Sequence, residues 1–294
     1  MKMVVFGGSG FLGSHVADAL TDSGQSVVIY DVKESPYLRE GQLMQVGDIL
    51  DFEKVLSAVK GSDYVYNFAG IADLDDATTK PLDTIHLNIV GNANILEASR
   101  LASIKRYIYA STIYVYSQKG GFYRCSKQAS ELYIEEYRRR FGLNFTILRY
   151  GTLYGQRADH KNSIFRYLKQ ALEKGRIKCT GTGDEVREYI YVKDAARLSL
   201  DVLDKQFEDS HVIISGYHAM KLSDMLKMIG EILNKEIKID YDNKENFNHY
   251  IYTPYSYSPR IGHKLVSDRY LDMGQGLLEC IQEMDRIIHN QENG

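Results

Sequence analysis

The first half of the chain alternates short apolar, β-branched runs with longer stretches whose apolar positions recur at helical spacing. Lys2–Phe6, Ser26–Tyr30, Leu43–Val46, Asp63–Phe68, Arg106–Ala110 and Asn144–Leu148 read as strands. Phe11–Ser23, Phe52–Lys60, Leu82–Ala102 and Tyr123–Phe141 read as helices, with Leu12, Val16, Ala19 and Leu20 on one face of the first. Strands alternating with helices of this length predict βαβ units, an α/β fold with a doubly wound parallel sheet, and right-handed crossovers. Beyond Arg149 the rhythm changes. A loop holding Gly151 and Gly155 leads to a helix over Ser163–Lys174, a strand Ile177–Thr180 and a glycine turn. Tyr189–Val192, a helix Asp194–Leu203 and a further sheet strand Val212–Ser215 follow. A helix near Ser223–Leu233, a strand Ile237–Tyr241, a tyrosine-rich loop and a helix about Leu271–His289 close the pattern. Residues 1–149 with about 188–216 then form a nucleotide-type sheet domain, and about 150–187 with 217–294 a smaller, interleaved C-terminal domain.

Composition narrows the partners. A chain of 294 residues with 44% apolar and 26% charged positions has the makings of a packed core. Its net charge of −3, without a basic block, argues against nucleic-acid or membrane-surface binding. No apolar run approaches the roughly 20 residues of a membrane span. The N-terminal MKMVVFGG opens a strand instead of a signal peptide, so a cytoplasmic protein is expected. The three cysteines, Cys125, Cys179 and Cys280, form no CxxC pair and read as reduced, packed thiols. The eight histidines show no paired ligand spacing, and Asp73, Asp75 and Asp76 read as a solvated turn, so no metal site is expected. The 23 tyrosines are read as half-buried packing residues.

Two constellations carry chemistry. The first, Gly7-Gly8-Ser9-Gly10-Phe11-Leu12-Gly13, lies between a predicted strand and a predicted helix. Glycines at 7, 10 and 13 permit a tight turn, close approach to a pyrophosphate and close helix–strand contact, and the helix N-terminus offers free N–H groups. Asp31 closes the second strand where a carboxylate would accept the adenosine ribose hydroxyls. The first domain is therefore expected to be Rossmann-like. Asp31 would repel a 2′-phosphate and favours NAD over NADP, although Lys33 lies close by. Asp48, followed by Ile49, is placed to meet the adenine amino group or to cap a helix.

In the second, the strand Arg106–Ala110 delivers Ser111 and Thr112 to the sheet edge where open α/β sheets bind ligands. Tyr123 and Lys127 follow at i and i+4 on one helix face. A lysine ammonium near the phenol favours phenolate, making a general acid/base for a hydroxyl proton, with Thr112 bonding the reacting oxygen.

With GGSGFLG, GDILD, Phe68-Ala69-Gly70, Asn88 to Gly91, STIYVYS, YRCSK, LRYGTLYG and REYIYVKDAA in order, the chain resembles an extended short-chain dehydrogenase/reductase of the NAD-dependent sugar-nucleotide epimerase/dehydratase family. The resemblance implies NAD held by Gly7, Gly10, Phe11, Leu12, Gly13, Asp31, Asp48, Ile49, Phe68, Ala69, Gly70, Asn88, Tyr123 and Lys127. It implies catalysis by Thr112, Tyr123 and Lys127, and a nucleotide-sugar substrate met by Thr112, Tyr123, Thr152 and Arg187, with Arg260 a further phosphate contact. The smaller domain would then be the substrate domain, and the helices near 82–102 and 123–141 would pair across a two-fold axis in a homodimer.

Departures bear on the reaction. Dehydratases of the group place Asp-Glu directly after the threonine, whereas Ile113 and Tyr114 stand here. The stretch from Thr112 to Tyr123 is short, Phe122 replaces the usual proline, and Thr152 the usual asparagine. An epimerase acting at C4 through a transient 4-keto sugar is the reading these features imply. A nucleotide-sugar reductase or dehydrogenase would use the same residues, and a non-catalytic dinucleotide-binding sensor or scaffold would bind cofactor without turnover.

Overall fold

The computed structural model describes residues 1–242, 250–252 and 254. The expected helix about Leu271–His289 and Arg260 lie outside the described residues. In chain order the elements are β1 (Lys2–Phe6), α1 (Phe11–Asp22), β2 (Ser26–Asp31), β3 (Gln42–Val46), α2 (Phe52–Val59) and β4 (Tyr64–Asn67). Next come α3 (Leu74–Thr79), α4 (Pro81–Ile85), a π-helical turn (His86–Gly91), α5 (Asn92–Leu101), β5 (Arg106–Thr112), a 3₁₀ turn (Ile113–Tyr116), α6 (Gly121–Phe141) and β6 (Phe145–Tyr150). Beyond lie β7 (Thr152–Tyr154), α7 (Ser163–Lys174), β8 (Arg176–Cys179), β9 (Val186–Tyr191), α8 (Val192–Asp201), β10 (Ser210–Ile214), β11 (Ala219–Lys221), α9 (Leu222–Leu233) and β12 (Lys238–Tyr241).

Seven strands form one sheet in the order β10-β6-β5-β4-β1-β2-β3, every neighbouring pair parallel. Parallel strands are covered on both faces, which is why their sequences are near-continuous apolar runs. Alternate residues feed two cores. Val4, Phe6, Tyr30, Val65, Tyr107 and Ile147 point to one face, with Val55 of α2, Ile95 of α5 and Ile134 of α6. Met3, Val5, Ile29, Tyr66, Ile108 and Leu148 point to the other, with Val16 and Leu20 of α1 and Ala195 of α8. The sheet order reverses between β1 and β4, and the crevice beyond the carboxyl ends of those strands is where such sheets take ligands.

A third cluster, Ile164, Tyr167, Ile177, Leu226 and Ile229, packs α7 and α9 over β8 and β12. Two short strands missing from the sequence pattern, β7 and β11, flank β9 in a three-stranded sheet. The apolar stretch expected as one helix over 82–102 is broken into α4, the π-helical turn and α5, with α3 before it. A π-turn keeps the helical spacing of apolar residues on either side, so periodicity alone does not reveal it.

One buried polar triangle ties β4, β5 and α5 together. Asn67 Nδ2 donates to Tyr107 Oη at 2.9 Å and to Asn92 Oδ1 at 3.1 Å, and Tyr107 Oη donates to Asn92 Oδ1 at 2.7 Å. Tyr107→Phe leaves Asn67 short of an acceptor in a dry interior. It is expected to lower the unfolding free energy by about 1–3 kcal/mol in urea titration; an unchanged midpoint would show the triangle to be dispensable.

Candidate active site

The turn after β1 is built around positions that tolerate no side chain. Gly7 has φ +74°, and a Cβ there would lie 2.6 Å from Ala69 N. At Gly13 a Cβ would collide with the Gly7 carbonyl. Gly10, the residue before α1, has no side-chain cap, so the first-turn N–H groups face outward. Asp31 stands at the end of β2, where its Oδ2 accepts from Ser9 N at 3.0 Å. A cradle without Cβ atoms, an uncapped helix end and a carboxylate on the next strand suit a dinucleotide. Leu12 packs into the core below, and Phe11 meets His15 edge-on.

Asp48 is exposed, and its Oδ1 accepts from Leu50 N at 2.9 Å in a local turn. Its carbonyl accepts from Tyr30 Oη at 3.0 Å, and Ile49 is buried against Gly91. Across the crevice, Phe68 N donates to Phe6 O at 2.8 Å, setting Ala69 against the glycine turn. Asn88, at the centre of the π-turn and buried, clamps the next residue of that loop: Oδ1 accepts from Ile71 N at 2.7 Å and Nδ2 donates to Ile71 O at 2.9 Å. Nδ2 also donates to Ser126 Oγ on α6 at 2.9 Å, and Ser130 Oγ returns a bond to Asn88 O at 2.7 Å. Asn88 thus locks the cradle wall to α6, one residue from Lys127.

Thr112, Tyr123 and Lys127 come together in the interior. Thr112 lies beside the Tyr123 hydroxyl, and burial pushes the phenol's pKa up to about 12, with Thr112 opposing that shift. Lys127 Nζ donates to Ala110 O at 2.7 Å, 4.6 Å over the Tyr109 ring and 5.8 Å from the centre of the Tyr123 ring. Burial brings Lys127 down to about 8, and Glu131 works against that shift. The expectation that the ammonium acidifies the phenol in the free chain is therefore not met. The ammonium is committed to a strand carbonyl and a neighbouring ring, and desolvation of the phenol dominates.

On the far side of Tyr123 stands an aromatic stack that sequence reasoning missed. Tyr114 meets Tyr123 edge-on at 6.4 Å and Tyr250 at 4.8 Å. The Arg187 guanidinium lies 4.4 Å over Tyr250, its Nη1 donating to Ile251 O at 3.2 Å. Thr152 Oγ1 is 3.5 Å from Tyr250 Oη, so Thr152 and Arg187 share one wall. Tyr250 lies in a tyrosine-rich loop whose sequence gives no signal to single it out. Asp73, Asp75 and Asp76 belong to α3 and its cap, with Asp73 Oδ1 accepting from Asp75 N and Asp76 N, and Asp76 paired to Lys161.

The profile of the NAD dependent epimerase/dehydratase family matches residues 3–215, and the chain belongs to that family. Among curated relatives it is similar to a UDP-glucuronate 4-epimerase of Thermodesulfobacterium geofontis, 26% identical over 269 residues, covering 82% of this chain and 83% of the other. Among solved structures it resembles the UDP-glucose 4-epimerase of Thermotoga maritima with UDP-glucose, at 25% identity and TM-score 0.80, covering 88% of this chain and 90% of that one. It also resembles the UDP-glucuronic acid 4-epimerase of Bacillus cereus in complex with UDP-glucuronic acid and NAD, at 26% identity and TM-score 0.79, covering 89% and 95%. No described helix is long and apolar enough to cross a membrane.

Because Lys127 is held below its ordinary value, burial of its charge weighs on stability below about pH 8, and the penalty fades as the pH rises toward 10.5. Lys127→Met is expected to raise the urea midpoint of the cofactor-free chain at neutral pH, with a gain that shrinks in alkaline buffer. A loss of stability at neutral pH contradicts this.

Proposed function

We propose that the chain interconverts the C4 epimers of a nucleoside-diphosphate sugar. The observation that carries this reading is the burial of Thr112, Tyr123 and Lys127 together at the carboxyl end of β5, with the Lys127 ammonium 5.8 Å from the centre of the Tyr123 ring. Gly7, Gly10, Gly13 and Asp31 would hold NAD, with Phe11 and Leu12 supporting the turn and Phe68, Ala69 and Gly70 forming the opposite wall. Bound there, NAD supplies the hydride acceptor, then donor, and a ring charge that favours phenolate. Tyr123 Oη takes the C4 hydroxyl proton and returns it after the 4-keto sugar has turned its other face. Thr112 Oγ1 would orient the reacting oxygen, and Lys127 would hold the nicotinamide ribose. Asn88 keeps α6 in register with the cradle wall. Arg187 and Thr152 face the substrate's diphosphate side, with guanidinium–phosphate pairing the physical reason for an arginine there. Asp48 and Ile49 act through the packing of their loop.

The residues after Thr112 support epimerisation over dehydration. Eliminating water from neighbouring carbons needs an acid and a base beside the hydroxyl pair, and Ile113 and Tyr114 supply neither a carboxyl nor a carboxylate. Tyr123→Phe is expected to lower turnover of UDP-glucose or UDP-glucuronate by about 10²–10⁴-fold while NAD still binds. Epimer formation is read by NMR and cofactor occupancy by calorimetry. Full activity, or a net change in cofactor redox state during turnover, would overturn the reading.

We further infer a homodimer through α4, α5 and α6. Their outer faces leave Leu82 68% and Leu132 66% exposed, and Ile85, Tyr133 and Phe141 join them. The free thiols of Cys125 and Cys179 suit a reducing, cytoplasmic setting. Leu132→Glu is expected to shift the chain to a monomer by light scattering without loss of the parallel-sheet fold; an unchanged mass argues against this surface.

A further inference from the structure

Helix α6 carries a third ionisable group on the face that presents Tyr123 and Lys127. Glu131 stands one turn beyond Lys127, with its side chain 8% exposed. Three bonds clamp its carboxylate. Ser111 Oγ donates to Oε1 at 2.5 Å, Arg149 Nε to Oε1 at 3.1 Å and Arg149 Nη2 to Oε2 at 2.7 Å. Arg149, 14% exposed, also donates from Nη1 to Tyr116 Oη at 2.5 Å and stacks 4.7 Å over that ring. One carboxylate therefore joins α6, the end of β5, β6 and the 3₁₀ turn.

The sheet already pairs Ser111 with Arg149 and Thr112 with Tyr150, so this ion pair is not what aligns β5 with β6. Nor does a buried pair gain stability over well-packed apolar residues of the same volume. Its distinctive property is where it puts charge. Facing Lys127 are the Tyr109 ring and the Ala110 carbonyl from β5, and Tyr123 and Glu131 from α6 itself. Arg149 lies one step further, on β6, neutralised by Glu131. Among the described residues, Glu131 is the charged group that opposes the desolvation of Lys127. Its other partner, Ser111, precedes Thr112.

We propose that Glu131 is a positioning residue: its carboxylate, clamped by Ser111 and Arg149 one turn from Lys127 on the same helix face, keeps the Lys127 ammonium charged beside Tyr123. The proposal rests on the reading of Thr112, Tyr123 and Lys127 as the reacting set.

The test uses Glu131→Gln, together with a double variant, Glu131→Gln with Arg149→Gln, which removes both members of the pair. In full-length protein carrying ¹³Cε-labelled lysine, the Lys127 signal is assigned by its disappearance in Lys127→Arg and followed through a pH titration. Its midpoint is expected to fall by about one pH unit or more in Glu131→Gln, where Arg149 is left uncompensated, and by less in the double variant. The alkaline limb of kcat/KM for UDP-glucose should move down with it. Unchanged midpoints in both folded variants overturn the proposal. So does failure of both to fold, which makes the pair a requirement of the fold. Activity retained by Tyr123→Phe would instead sink the reading of the site, because the lysine titration does not depend on turnover.

Discussion

An ammonium group taken out of water must be given something in return, and the centre of this molecule is arranged around that requirement. Lys127 points into the interior from α6, where desolvation opposes its charge. It finds one strand carbonyl, Ala110 O, one ring face, Tyr109, and the negative potential of Glu131. Each of these depends on position. Ala110 and Tyr109 are consecutive residues of β5, so carbonyl and ring come as a pair only if α6 crosses the strand at the right height. The same crossing puts Tyr123 against Thr112.

The height of α6 is set from the other side by the π-turn. An extra residue in that turn lets Asn88 point inward, with both ends of its amide committed. Both ends hold Ile71 in the loop that continues from Ala69, whose backbone abuts Gly7, and the nitrogen also reaches Ser126. Asn88 thereby ties the loop beyond Ala69 to α6, the helix that carries Tyr123. That arrangement keeps a bound dinucleotide and the phenol in fixed relation without asking either to contact the other's supports. The strain of a π-turn is tolerated because its inserted side chain is fully bonded.

Much of this was legible in the sequence because two periodicities and one glycine string dominate it. The parallel strands are apolar on both faces and stand out, and the i, i+4 relation of Tyr123 to Lys127 needs only a helix to become a shared face. What escaped were features without a local pattern. The π-turn preserves the apolar spacing around it, and β7 and β11 are three residues each, held by neighbours distant in sequence. Glu131 did repeat the helix spacing beyond Lys127, but its partner Arg149 comes from another element. The dominance of desolvation over Lys127 at the Tyr123 phenol also escaped, since sequence shows proximity on a helix and not which carbonyl the ammonium selects.

The free chain's electrostatics bear on what the site can do alone. With the phenol held up by burial, its pKa moves away from the value a proton transfer at neutral pH needs. A standing phenolate would be a base exposed to any acidic solute that entered the crevice. A phenol that stays protonated until the neighbouring cradle is filled avoids this, because the charge that favours its ionisation arrives with the ligand. In the proposed reading, proton abstraction would then be conditional on an occupied cofactor site, with Thr112 standing beside the hydroxyl. Tyr114 strengthens that condition: by standing edge-on to Tyr123 in place of a carboxylate, it removes the nearest alternative proton acceptor. In the proposed reading, a hydroxyl proton leaving the sugar would go to Tyr123 and return from it, which is the pattern of an inversion without elimination.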